Sequence, residues 1–117
     1  MAMLRRTALV AIVTLATATA ATAATAQSTP GADHLVGTSG ADRILGRGGN
    51  DKLLGGGGRD RITGGSGSDI IVGGNGNDVI HARDGEIDHI TCGPGRDRVF
   101  ADPQDDVAKD CESVVRG

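Results

Sequence analysis

From residue 33 onward an aliphatic side chain returns every nine residues: Leu35, Ile44, Leu53, Ile62, Ile71 and Ile80. An aspartate stands two places before each (Asp33, Asp42, Asp51, Asp60, Asp69 and Asp78). A glycine stands two places before each aspartate (Gly31, Gly40, Gly49, Gly58, Gly67 and Gly76). An amphipathic helix needs apolar residues at three- and four-residue spacing, and a long half-buried strand needs sustained alternation; neither is present. Each aliphatic instead sits in a short stretch between glycine-rich turns, as Arg61-Ile62-Thr63 follows Gly55-Gly56-Gly57-Gly58-Arg59-Asp60. The pattern predicts very short strands stacked as a solenoid over about residues 31–100, each repeat burying its aliphatic against its neighbours. One residue is inserted in Gly85-Glu86-Ile87-Asp88-His89-Ile90. The period resumes at Gly95-Arg96-Asp97-Arg98-Val99, and a degenerate unit carries Asp105 or Asp106 and then Val107.

A coil of two nonapeptides per turn stacks each repeat on the next but one. Asp33, Asp51, Asp69 and Asp88 then line one edge, and Asp42, Asp60, Asp78 and Asp97 the other. Two bare carboxylates about 5 Å apart repel by roughly 3 kcal/mol at an effective dielectric of 20. A hard divalent cation between them reverses the sign. Calcium suits such turns because it accepts six to eight oxygens, backbone carbonyls included, in flexible geometry, whereas magnesium demands a tight octahedron. One inward aliphatic per repeat also makes a thin core, and a chain with 20 glycines has much conformational freedom to lose on folding. Such a core needs an external staple, so folding is expected to depend on calcium. Asp60, between Asp42 and Asp78, is expected to be the most sensitive position.

The units Gly64-Gly65-Ser66-Gly67-Ser68-Asp69-Ile70-Ile71-Val72 and Gly73-Gly74-Asn75-Gly76-Asn77-Asp78-Val79-Ile80-His81 resemble the RTX (repeats-in-toxin) calcium-binding nonapeptide. The resemblance implies an all-β, right-handed parallel β-roll, a two-sheet β-solenoid. In it the first six residues of each unit form a metal-binding turn and the last three a strand. Carried over residue by residue, it makes Asp33, Asp42, Asp51, Asp60, Asp69, Asp78, Asp88 and Asp97 the calcium ligands. The chain departs from the pattern where Thr38 and Arg47 replace the second glycine, and where Ala82 and Cys92 replace the first. The tail from Ile90 through Cys92 to Asp110-Cys111-Glu112 resembles the ending of small secreted bacterial RTX-like proteins. A Cys92–Cys111 disulfide there would pin the last strand over the open end of the roll.

The N-terminus bears on the compartment. Arg5 and Arg6 precede the apolar stretch Ala8–Leu15, and Ala24-Thr25-Ala26 is an A-x-A cleavage site. Residues 1–26 therefore read as a secretory signal peptide lying outside the fold, with 27–117 as the mature calcium-binding domain. The apolar stretch is shorter than the roughly 20 residues a membrane span needs. No cysteine lies near the cut to carry a lipid. The even cysteine pair of an exported chain reads as a disulfide, with a metal or redox pair as the alternative. The mature chain has 10 basic residues against 15 acidic and a formal net charge of −5. With Phe100 as its one aromatic residue, it is a poor nucleic-acid binder.

Other chemistries find little support. Accidental G-x-G-x-x-G matches neither follow a long strand nor open a helix. Every aspartate belongs to a series, so no unique glycosidase-like acid/base pair stands out. His34, His81 and His89 read as solvated strand-flanking residues, with a transition-metal pair of His81 and His89 as the alternative. Thr38, Thr63 and Thr91 share no register that would make an ice-binding ladder. The arginines read as outward side chains that moderate the acidic charge. The reading is a secreted, non-enzymatic calcium-binding protein without membrane insertion. The alternative is a calcium-stiffened interaction or adhesion module for a cell-surface partner whose identity the sequence leaves open. Toxin activity and type I export are not carried over from the family.

Overall fold

The computed structural model describes residues 11–14 and 25–117. The described residues contain strands and turns but no helix. The strands, numbered in chain order, fall alternately into two parallel sheets. The first holds β1 (Ala11–Thr14), β3 (Asp33–Val36), β5 (Lys52–Leu54), β7 (Ile70–Val72), β9 (His89–Thr91) and β11 (Asp106–Val107). The second holds β2 (Thr25–Gln27), β4 (Arg43–Leu45), β6 (Arg61–Thr63), β8 (Val79–His81), β10 (Arg98–Ala101) and β12 (Ser113–Arg116). Each strand pairs with the strand two repeats away. Two nonapeptides therefore make one coil, and the fold is a β-roll.

In the three-residue strands only the middle residue points inward, and the four-residue β3 and β10 also bury Asp33 and Ala101. In the first sheet Leu35, Leu53, Ile71 and Ile90 stand in register, and in the second Ile44, Ile62, Ile80 and Val99. All eight are at most 2% exposed. Stacking like on like fills the narrow space between the sheets, and each such side chain contributes about 1.5–3 kcal/mol through burial. The inserted residue lies in the turn 82–88. It lengthens that turn without breaking register, so pairs spanning it are 19 residues apart instead of 18.

The roll extends beyond the expected 31–100. The degenerate last unit supplies β11, and β12 adds to β10 as the end of the second sheet. Cys92 and Cys111 are disulfide-bonded, with Cα atoms 5.1 Å apart. Cys111 lies just before β12, so the bond ties the last strand to the coil beneath it. Arg116 adds hydrogen bonds to the carbonyls of Asp102, Pro103 and Asp105.

At the other end, two segments of the first 27 residues extend the sheets in the uncleaved chain. Ala11–Thr14 pairs with β3, and Thr25–Gln27 pairs with β4. Ala26 is buried against the core. The physical reason is that the open end of a solenoid presents unpaired strand edges, which any adjoining extended segment can extend. Arg5, Arg6 and the stretch 15–24 lie outside the described residues.

Candidate metal centre

Every aspartate of the series enters its strand with the side chain turned inward. Asp33, Asp42, Asp51, Asp60, Asp69, Asp78, Asp88 and Asp97 are all buried. One carboxylate oxygen of each later aspartate accepts the backbone amide of the aspartate one coil before it. On the first edge the Asp33 amide donates to Asp51 Oδ1 at 2.8 Å, Asp51 to Asp69 at 2.8 Å and Asp69 to Asp88 at 2.7 Å. On the second edge Asp42 donates to Asp60 at 2.9 Å, Asp60 to Asp78 at 2.9 Å and Asp78 to Asp97 at 2.8 Å. The two edges proposed from the nonapeptide spacing are thus continuous hydrogen-bonded ladders.

The second oxygen is the informative one. Oδ2 of Asp51, Asp60, Asp69, Asp78, Asp88 and Asp97 is buried without a hydrogen-bond partner. A buried carboxylate oxygen left unpaired is costly, and a row of six asks for a common explanation. Their surroundings are oxygen-rich. A Cβ placed on Gly73 would lie 2.7 Å from Asp78 Oδ2 and 2.8 Å from the Cys92 carbonyl oxygen. On Gly64 it would lie 2.7 Å from Asp69 Oδ2. At Gly46, Gly55 and Gly73 the first glycine of the turn leaves a cradle between a carboxylate and a neighbouring carbonyl, which any larger residue would fill. Carboxylates plus carbonyls, with no nitrogen or sulfur, are the donor set of a hard cation such as calcium.

The electrostatics of the metal-free roll agree. Burial raises Asp69 to about 8; its hydrogen bond from the Asp51 amide opposes the shift, and Asp88, Asp51 and Asp84 reinforce it. Burial raises Asp60, Asp78 and Asp88 to about 7 and Asp51 to about 6, with the backbone hydrogen bond again opposing and neighbouring carboxylates reinforcing. The ladders are thus strained toward neutralisation by a proton or a cation.

The first two turns are built differently. Thr38 donates its amide and hydroxyl to the Asp42 carboxylate, at 2.5 Å and 2.8 Å, and its hydroxyl accepts the Gly40 amide. Thr29 does the same for Asp33. In the later turns other than 82–88 the second and fourth residues adopt left-handed φ: Arg47 and Gly49, Gly56 and Gly58, Gly65 and Gly67, Gly74 and Gly76, and Gly93 and Gly95. Thr29, Gly31, Thr38 and Gly40 do not. A β-branched threonine resists positive φ, and its hydroxyl supplies the Asp42 carboxylate with a donor that the later turns lack.

Two acidic residues outside the sequence-derived ligand set join the site. Asp84, in the lengthened turn, comes together with Asp69 and Asp88; one ligand atom from each lies within 4.8 Å of the others. Its Oδ2 is also buried and unpartnered. It falls outside the nonapeptide register, and only its closeness to the insertion hinted at it. Asp105, not Asp106, continues the first ladder by accepting the Asp88 amide at 3.0 Å. Its second oxygen accepts the Asp102 amide, which closes the row. Asp106 faces outward and pairs with His89.

A parallel β-solenoid with oxygen-lined edges belongs to the class of cation-binding repeat folds. The family model described as the RTX calcium-binding nonapeptide repeat matches four copies, over residues 28–62 and 54–86. The chain belongs to that family, whose repeats bind calcium and whose β-roll is structural. No curated protein and no solved structure matches the chain.

Proposed function

We propose that the protein is a secreted, non-catalytic calcium-binding module that folds when it takes up calcium between stacked turns. The observation that carries this is the row of six buried, unpartnered carboxylate oxygens, with backbone carbonyls close to those of Asp51, Asp60 and Asp78. Asp51, Asp60, Asp69, Asp78, Asp88 and Asp97 are the principal ligands, with Asp84 added on the first edge. Asp33 and Asp42 extend the ladders but carry a threonine clasp. Four neighbouring pairs have a free oxygen on both partners: Asp51–Asp69, Asp69–Asp88, Asp60–Asp78 and Asp78–Asp97. Calcium would supply the positive charge and the coordination that these pairs lack. Because the site exists only in the folded chain, binding energy becomes folding energy.

Export rests on the basic, apolar and A-x-A order of the first 26 residues. Cleavage after Ala26 removes β1 and most of β2, and leaves β3 and β4 as the open end of the roll. Intact-mass measurement of the exported protein is expected to find Gln27 at, or within a few residues of, the N-terminus. The central test is a calcium titration of metal-stripped protein by circular dichroism and calorimetry, with magnesium in parallel. A cooperative gain of β-structure with calcium, and far less with magnesium, is expected. Full β-content in the stripped protein together with no heat of calcium binding would overturn the reading.

A further inference from the structure

The arginines are not scattered over the surface. In the second sheet the first residue of each strand points outward, and the register sets Thr25, Arg43, Arg61, Val79, Arg98 and Ser113 in one column. The turns leading into these strands place Arg59 and Arg96 beside that column, with Asn77 between them accepting the Arg96 amide. All five of these arginines are exposed. The carboxylates between the two columns, Asp42, Asp60, Asp78 and Asp97, are turned inward and buried. Among the described residues the one ion pair joins His89 to Asp106, on the first sheet. Within that set, therefore, none of the five guanidiniums has a carboxylate partner.

The outer face of the first sheet is unlike this. Its matching column runs His34, Lys52, Ile70, His89 and Asp106, mixed in charge. On the second sheet a shallow groove lies among Arg43, Arg59 and Arg61, with Ala41, Val79 and the buried Asp42 and Asp60 also lining it, and Thr25 before cleavage. The positive field reaches further along the face. Burial first, then the charges of Arg61 and Arg83, holds His81 below its ordinary value.

We propose that this face docks a linear anionic polysaccharide, gripped by Arg43, Arg61 and Arg98 with Arg59 and Arg96 along the edge. Adjacent rungs of a sheet are about 4.8 Å apart, so Arg43 to Arg98 spans about 14 Å. That spacing is comparable to the step of a sugar chain. A guanidinium meets a carboxylate or sulfate with two parallel hydrogen bonds, which a flat row of arginines repeats along an extended polymer. Single-stranded nucleic acid fits less well because it needs open aromatic platforms. The Phe100 ring is stacked on His81 at 4.8 Å, and Arg83 lies over it. A membrane surface fits less well because, of the exposed large hydrophobics, Ile70 lies on the opposite sheet and Ile87 in the turn 82–88, which leaves Val115 alone on the end strand of this sheet. Calcium would help by cancelling the carboxylate ladder behind the arginines, which otherwise repels an anionic chain.

The test measures binding of dextran sulfate to the calcium-loaded protein, with neutral dextran, duplex DNA and phosphatidylglycerol vesicles in parallel. Binding to dextran sulfate alone, weakened by salt, is expected. The variant R43Q/R61Q/R98Q should bind about tenfold more weakly, because it removes three exposed ion pairs with the polymer at once. The charge-matched control R47Q/K52Q/K109Q, with all three changes outside this column, should bind within about twofold of the original. Chemical modification of arginines in the unaltered protein provides a readout independent of variant folding. Dextran sulfate should protect Arg43, Arg61 and Arg98 but not Arg47. No binding, equal loss in the control, uniform protection, or tighter binding to DNA or vesicles would each overturn the proposal.

Discussion

The first two turns and the later turns of the roll hold the same aspartate in opposite ways. Thr29 and Thr38 clasp Asp33 and Asp42 with an amide and a hydroxyl. From Asp51 to Asp97 the equivalent oxygen is buried and has no partner. The second residue of the turn makes the difference. Threonine brings its own donor and keeps the turn out of the left-handed region. Glycine brings no side-chain donor, accepts φ near +90° at Gly56 and Gly74, as Arg47 accepts φ 62° before Asp51, and leaves a cradle of oxygens. The same nonapeptide can therefore be satisfied within the protein or left waiting for a cation. The expected importance of Asp60 shifts accordingly. Its neighbour Asp42 is clasped, whereas Asp69 and Asp78 each stand between two unclasped aspartates.

The contrast is most open to attack at its centre. Asp69→Ala removes the acceptor of the Asp51 amide and one carboxylate from each of two pairs. Losing a charge-assisted hydrogen bond costs about 1.5–3 kcal/mol, so the calcium midpoint for folding should rise by at least roughly tenfold. Asp33→Ala, in a clasped turn, should move it by less than about threefold. Equal effects in circular dichroism titrations would erase the distinction between the two regions.

Thr38→Gly should convert a clasped turn into an open one. The calcium-free chain is expected to lose about 1–2 kcal/mol through the missing hydrogen bonds. Calorimetry should find additional calcium bound per chain. An unchanged stoichiometry would show that the clasp and the cation do not compete for one place.

Acidification probes the open turns as a group. Asp51, Asp60, Asp69, Asp78 and Asp88 are raised from 3.8 to between about 6 and about 8 in the metal-free roll. Between the unfolded and folded values the folded chain binds more protons, so stability falls as pH rises. This contribution is fully present below 3.8 and is lost as pH climbs through about 6 to 8. Metal-stripped protein should thus gain β-structure on going from pH 8 to pH 5, while calcium binds less tightly because protons compete for the same carboxylates. Loss of β-structure over that range would contradict the burial of these groups.

The smallest effect is expected at the lengthened turn. Asp84→Asn removes one of three converging carboxylates while Asp69 and Asp88 remain. Affinity at one class of site should fall by about two- to threefold, since calcium sites are tuned by ligand charge. An unchanged affinity in a calorimetric titration would place Asp84 outside the coordination.

Most of this architecture is a local property of the repeat. The nine-residue period, the lone aliphatic at Ile62 or Ile71 and the aspartate two places earlier determine which side chain turns inward. A three-residue strand has only one central position to bury. Two repeats per coil then follow, and with them both aspartate ladders. What the period could not decide depends on atoms brought together across coils. The Thr38 clasp needs the turn conformation that its own β-branch imposes. Asp84, in the turn lengthened by the extra residue, meets Asp69 and Asp88 only once the coils stack. Asp105 and Asp106 are adjacent in the chain and equally acidic, but alternation along a strand turns Asp105 inward to the Asp88 amide and Asp106 outward to His89. The arginines became a single face for the same reason. Arg43, Arg61 and Arg98 are far apart along the chain, and parallel pairing two repeats away sets them on one sheet.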